Sequence, residues 1–93
     1  MNTAILHTSA KELEIEQQAI KKFTPLVKRI ARHMMEKLPT SIQIDDLIQA
    51  GMVGLAEANK RYKGEYGHQF ELFAAQRIRV SILKQLRIAD SPI

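Results

Sequence analysis

The chain has 93 residues, a formal net charge of +4 and no cysteine. A chain of this length forms one small domain with a modest core, so we expect a single domain over residues 1–93. The lack of cysteine excludes disulfides, thiol catalysis and zinc sites built on cysteine. No apolar run is long enough to span a bilayer, and the start, MNTAILHTSA, does not resemble a secretion signal. We therefore expect a cytoplasmic protein that makes no membrane contact.

The first half of the chain is predicted to form two helices. Ser9 begins a Ser-x-x-Glu capping box, which predicts a helix over residues 10–22. Thr24 and Pro25 have the pattern of an N-cap followed by proline at the first helical position. This pattern predicts a second helix over residues 25–38.

Two further helices are predicted in the second half, over residues 45–62 and 71–87, because apolar residues recur there at steps of three and four. Gly51 and Gly54 lie inside the third helix, where each glycine costs up to about 1 kcal/mol relative to alanine. We expect a neighbouring helix to approach closely at these glycines, since close approach commonly compensates such a cost. The sequence thus predicts an all-α domain of four helices.

The positive charge is confined to the last third of the sequence. Residues 1–59 contain seven basic and seven acidic side chains, whereas residues 60–93 contain seven basic and three acidic ones. A localised cationic surface attracts polyanions, which favours nucleic acid as a partner. A solvated basic face without a ligand is the alternative that charge alone leaves open.

Acidic residues and histidines are present, but not in arrangements that support catalysis or metal binding. Asp45 and Asp46 fall in the first turn of the third helix, where carboxylates usually complement the helix dipole. The three histidines are too widely spaced in sequence to indicate a metal site: His7, His33 and His68. The sequence therefore predicts no enzyme, no metal site and no cofactor.

The third helix carries apolar side chains on the face opposite its core stripe. Met52 and Val53 lie there beside Gln49, and an exposed apolar patch indicates an interaction surface. The alternative is that Met52 and Val53 pack under the second helix as part of the core. The spacing alone favours that alternative.

The fourth helix combines aromatic and cationic side chains. Phe70 and Phe73 are followed by Arg77, Lys84 and Arg87, a composition suited to stacking unpaired bases and contacting phosphates. Burial in the core is the stronger interpretation for Phe70. For Phe73, core packing and base stacking are equally supported by the pattern.

A series of residues of mixed chemistry between positions 46 and 79 forms a recognisable pattern: Asp46-Leu47-Ile48-Gln49, Gly51, Gly54-Leu55, Ala58, Tyr62, Gly67, Phe70, Phe73-Ala74 and Ile78-Arg79. In these positions, in the same order and without gaps, the chain closely resembles conserved region 2 of the bacterial sigma-70 family. The upstream stretch, residues 26–43, is most similar to the flagellar sigma-28 branch. The resemblance implies a helical domain without an active site that acts in transcription initiation. Such a domain docks on core RNA polymerase and contributes to recognition and melting of the promoter −10 element.

The resemblance also implies which residues make these contacts. In the family, the matching face of the third helix binds the coiled coil of the polymerase β′ clamp, which implies contacts by Asp46, Gln49, Ala50, Met52 and Ala56. The implied DNA contacts are Lys60, Arg61, Lys63, Phe73, Gln76, Arg77, Lys84 and Arg87. In the family, an aromatic residue at the position of Phe73 holds the flipped adenine of the −10 element. An anti-sigma factor is a further candidate partner.

Several positions depart from the family pattern. Val80 and Leu83 replace hydrogen-bonding side chains of the primary factors, Lys84 replaces an acid of the flagellar branch, and Ser91 replaces a tryptophan. Reading bases requires donors and acceptors, so these departures favour polymerase docking over promoter recognition.

These departures and the length of the chain leave alternatives to the sigma factor interpretation. One is a truncated sigma-like interaction protein that binds polymerase or an anti-sigma partner without opening DNA. A small helical DNA-binding module with fortuitous similarity is another. Further helical domains follow this region in complete sigma factors, and the sequence leaves open whether the chain is a fragment or a short natural protein.

Overall fold

A computed structural model describes residues 10–38, 41–62 and 66–89 of the chain. These residues form three α-helices: α1, Ala10–Lys37; α2, Ile44–Arg61; and α3, His68–Ala89. The described part contains no strand, so the fold is all-α as predicted. Four residues named from the sequence lie outside the described residues: His7, the capping residue Ser9, the basic residue Lys63 and the substituted position Ser91. In the described ranges no helix is both long enough and apolar enough to cross a membrane.

The prediction of four helices is wrong because the first two are one helix, α1, which continues through Pro25. A proline inside a helix lacks the N–H that would reach the carbonyl four residues earlier, at a cost of about 3 kcal/mol. Thr24 does not cap a new helix. Its Oγ1 donates a 2.7 Å hydrogen bond to the carbonyl of Ile20, which ties it to the preceding helical turn.

The buried face of α1 explains why the helix is not interrupted. Its buried residues recur at steps of one, three and four on both sides of the proline: Ala19, Phe23, Leu26, Val27, Ile30, Ala31 and Met34. Burial of each large apolar side chain contributes about 1.5–3 kcal/mol, so this continuous stripe outweighs the cost of one proline. Pro25 itself is exposed. Before this stripe, residues 10–18 extend beyond the core, and none of them is buried.

The two glycines of α2 lie where the helices approach most closely. A Cβ atom built at Gly54 would lie 2.6 Å from the carbonyl oxygen of Arg77 and 2.9 Å from the Cα of Ile78, both on α3. One built at Gly51 would lie 2.7 Å from the Cγ1 of Val27 on α1. The expectation of close helix packing at both glycines is therefore confirmed. α2 packs against both α1 and α3 and runs antiparallel to them, and α1 and α3 also contact each other.

Aromatic residues pack together where α2 passes into α3. The ring of Phe70 lies 5.0 Å from that of Phe23, 5.6 Å from Tyr62 and 4.9 Å from Tyr66, all with edge-to-face geometry. Phe70 is fully buried, which confirms its assignment to the core. These contacts stabilise the first turn of α3, which begins at His68. The helix therefore starts three residues earlier than its local sequence indicates.

Candidate functional site

The side of α2 that faces away from α1 and α3 forms the first candidate surface. Asp46, Gln49 and Val53 are exposed on it, and Ala56 is half-buried. Asp46 lies in the first turn of α2, where its carboxylate complements the helix dipole. Val53 is 55% exposed and lies between Gln49 and Ala56 on the helix surface. We call these four residues the α2 outer face.

Two residues expected to contact polymerase lie at the edges of this face. Ala50 and Met52 are separated by about 200° around the helix, and both are partly buried against the core. The carbonyl of Ala50 accepts a 2.6 Å hydrogen bond from the Oγ of Ser81 on α3. The alternative that Met52 and Val53 belong to the core is therefore partly correct for Met52 and wrong for Val53, which is exposed.

Val53 was placed beside Gln49 by the sequence and is exposed there, although it was not in the expected set of polymerase contacts. The 3.6-residue period of the helix is the signal that puts it on this face. A residue seven positions after Asp46 and four after Gln49 shares their face.

The second candidate surface lies at the end of the domain where α2 leads to α3. The rings of Tyr62 and Phe73 are 5.7 Å apart with their planes inclined by 36°. This contact brings Lys60 and Arg61, both exposed in the last turn of α2, to the same end of the domain as Phe73. Phe73 is half-buried and packs against the core. Its ring therefore has a packing role and also retains accessible surface.

Arg77 differs from the other expected DNA contacts that the structure describes because it forms an ion pair with a carboxylate. Its guanidinium lies 3.1 Å from the Oε1 of Glu57 on α2, and the two side chains are 34% and 52% exposed. An exposed ion pair of this kind contributes at most about 1 kcal/mol to stability. Its main consequence is electrostatic, since Glu57 offsets part of the positive charge beside the exposed Gln76.

Lys84 and Arg87 are exposed but lie far along α3 from Phe73. They follow Phe73 by 11 and 14 residues, which corresponds to roughly 16 and 21 Å along the helix axis. Together with Val80 and Leu83 they line a shallow depression on α3. The described residues implied in DNA contact therefore form two separate groups rather than one surface.

The described residues contain no group of three or more acidic or histidine side chains arranged to hold a metal ion.

Comparisons with known proteins identify the family. The sequence-family model of sigma-70 region 2 matches residues 19–91 of the chain. The chain is 44% identical over 85 residues to the RNA polymerase sigma factor FliA of Pseudomonas aeruginosa, covering 91% of this chain and 34% of that protein. It is 42% identical over 69 residues to FliA of Escherichia coli, covering 74% and 29%. Similarity to the Vibrio parahaemolyticus RNA polymerase sigma factor for flagellar operon is lower, at 28% over 96 residues, covering 97% and 40%.

The chain spans about a third of the length of the first two relatives. No solved structure matches it. The family match extends over most of α1 and the whole of α2 and α3, and its relatives include flagellar sigma factors that are more than 40% identical. The chain therefore belongs to the sigma-70 family and contains the family's region 2.

Proposed function

We propose that this chain is the region 2 domain of a flagellar-type sigma factor, which acts in transcription initiation by binding core RNA polymerase and promoter DNA. In this proposal the α2 outer face docks on the coiled coil of the β′ clamp. The end of the domain near Phe73 contacts the opened strand of the −10 element. The domain acts by binding alone. The observation that carries the proposal is the α2 outer face, which the core leaves uncovered.

The packing of α2 supports a docking role for this face. Gly51 and Gly54 fix α2 closely against α1 and α3, so the outer face is presented in one orientation. A preorganised surface binds with a smaller entropic cost than a mobile one. Val53 supplies an apolar centre, and Asp46 and Gln49 supply polar groups beside it. This arrangement resembles the apolar centre and polar rim of typical interfaces.

Polymerase binding should be lost when Gln49→Ala is combined with Val53→Glu. The second change places a charge where docking would remove water from an aliphatic side chain, and burial of an unpaired charge is strongly unfavourable. We expect affinity for a β′ coiled-coil fragment to fall by at least about tenfold, which corresponds to 1.4 kcal/mol. Isothermal titration calorimetry measures the affinity. Thermal melting should be unchanged, since both side chains are exposed.

Leu72→Glu is the matched control, because Leu72 is 59% exposed on α3 and lies away from the α2 outer face. This variant should bind the fragment as well as the unaltered chain does. Met52→Glu would be a poorer test, since Met52 packs partly against the core. Undiminished binding by the double variant would place the polymerase contact elsewhere on the domain.

Single-stranded DNA binding should depend on the ring of Phe73. Phe73→Leu retains an apolar side chain for packing but removes the aromatic face. Stacking of a base on such a ring contributes about 1–3 kcal/mol. We expect weaker binding to a single-stranded −10 oligonucleotide in fluorescence anisotropy, with binding to random duplex little changed. Phe73→Tyr keeps the ring and should bind normally. Equal losses on the two DNA forms would indicate electrostatic attraction alone.

One observation favours a second function, that of a sigma-like competitor. Val80 and Leu83 are 40% and 37% exposed on α3, where hydrogen-bonding groups would be needed to read bases. A domain that keeps the α2 outer face but lacks these groups would occupy polymerase, or an anti-sigma partner, without directing initiation.

A further inference from the structure

The depression on α3 has a regular arrangement of apolar and cationic side chains. The depression is lined by four residues at the i, i+3, i+4, i+7 spacing that places side chains on one continuous face of a helix: Val80, Leu83, Lys84 and Arg87. Neither Lys84 nor Arg87 forms an ion pair with another residue of the described part. The sequence from Leu72 to Ile88 contains no carboxylate. We call these four residues the α3 patch.

The chemistry of the α3 patch fits an acidic amphipathic helix better than nucleic acid. Aliphatic side chains offer neither hydrogen-bonding groups for base edges nor rings for stacking. A helix that presents one apolar residue between carboxylates would match both halves of the patch, in the manner of helix-in-groove recognition.

A segment with a net negative charge and exposed apolar side chains occurs in the same chain, at residues 10–18. Residues 10–18 of α1 extend beyond the core, with none of them buried. Leu13 in this segment is 49% exposed. Viewed along the helix axis, Glu14 lies about 100° from Leu13 on one side, and Glu16 lies about 60° from Leu13 on the other side. We call this segment the α1 extension.

The α1 extension cannot reach the α3 patch of its own chain. Phe23 on α1 contacts Phe70 on α3, and the two helices run in the same direction, since Val27 and Ile78 both lie beside Gly51. From the Phe23–Phe70 contact, Leu13 lies ten residues back along α1 and Val80 lies ten residues forward along α3. At 1.5 Å per residue they are roughly 30 Å apart. Only a second copy can bring the two surfaces together.

We propose that the α1 extension of one copy docks on the α3 patch of a second copy. Leu13 packs between Val80 and Leu83, and Glu14 and Glu16 approach Lys84 and Arg87. The contact is head-to-tail, so each end of a pair keeps one free surface and association is open-ended. The surfaces are small and opposite in charge, so the association is weak and is screened by salt.

Analytical ultracentrifugation of the 93-residue chain tests the self-association. At low salt the average mass should rise above the monomer value of 10.6 kDa as the concentration increases. In about 1 M salt, where the Debye length is about 3 Å, the chain should return to the monomer. A chain that stays monomeric at every concentration, or an association that salt does not weaken, would overturn the proposal.

Two variants test the pairing. Lys84→Gln with Arg87→Gln neutralises the α3 patch, and Glu14→Gln with Glu16→Gln neutralises the α1 extension. Each variant alone should associate at least about tenfold more weakly. An equimolar mixture should form one-to-one pairs, because the first variant retains an intact extension and the second an intact patch. Circular dichroism should show unchanged helicity, since none of the four side chains is buried.

Lys60→Gln with Arg61→Gln is the matched control, because it removes the same charge at the opposite end of the domain and should leave association unchanged. Self-association that persists in both test variants would assign the contact to other residues. A mixture that stays monomeric would refute the complementary pairing. Finally, a monomeric chain whose binding to a single-stranded oligonucleotide is lost with Lys84→Gln and Arg87→Gln would identify the α3 patch as a nucleic-acid site instead.

Discussion

An alanine at position 54 should lower the free energy of unfolding by about 2 kcal/mol, although alanine is the better helix former. The new Cβ would lie 2.6 Å from the carbonyl oxygen of Arg77 and 2.9 Å from the Cα of Ile78. These are backbone atoms, so α2 and α3 must separate to relieve the contact. Overpacking typically costs about 1–3 kcal/mol, and a clash with backbone atoms lies at the upper end of that range because no side chain can move to relieve it. The gain of about 1 kcal/mol in helix propensity offsets only part of it.

Two other glycines serve as controls for Gly54→Ala. Gly51→Ala should be milder, because its closest contacts are side-chain atoms, the nearest being the Cγ1 of Val27 at 2.7 Å, rather than the backbone of a neighbouring helix. Gly67→Ala should be neutral or stabilising by up to about 1 kcal/mol, because no atom lies within 4 Å of its new Cβ. Urea denaturation followed by circular dichroism measures all three. A Gly54→Ala domain as stable as the original would contradict the close packing of α2 on α3.

The glycines show why part of the fold follows from the sequence. A glycine inside a strongly periodic helix has a local cost that only a tertiary contact explains, so Gly51 and Gly54 indicate a helix–helix contact directly. The proline is the opposite case. Thr24 and Pro25 have the local pattern of a helix start, but burial of the stripe on both sides of Pro25 keeps α1 continuous. Tertiary packing decided the outcome against the local preference, as it does for helix propensity generally.

The candidate surfaces were predictable to different degrees. Periodicity correctly places Asp46, Gln49 and Ala56 together on α2. It does not decide between the neighbours Met52 and Val53, because they lie only about 100° apart and the positions of α1 and α3 determine which of them is covered. The ion pair between Glu57 and Arg77 was also missed. These residues are twenty apart in sequence, so their contact depends on the register between α2 and α3.

Transcription assays should separate the sigma factor from the competitor. Core polymerase supplemented with this chain alone should give no specific transcript from a flagellar-type promoter. The physical reason lies on α3, where the exposed Val80 and Leu83 offer no hydrogen-bonding groups to base edges. The chain should nevertheless reduce transcription by a complete flagellar sigma factor when it is added in increasing amounts, because it retains the α2 outer face that we propose binds the clamp.

The Gln49→Ala, Val53→Glu variant provides the control for this competition. It keeps the α3 residues unchanged, so its failure to inhibit would assign inhibition to the α2 outer face rather than to binding of the promoter by the cationic residues. Transcripts from the chain alone would refute the competitor and show that strand opening tolerates aliphatic residues at positions 80 and 83. If the unaltered chain fails to inhibit even at high concentration, the domain does not dock on the clamp, and the family resemblance then reflects common ancestry without a shared polymerase contact.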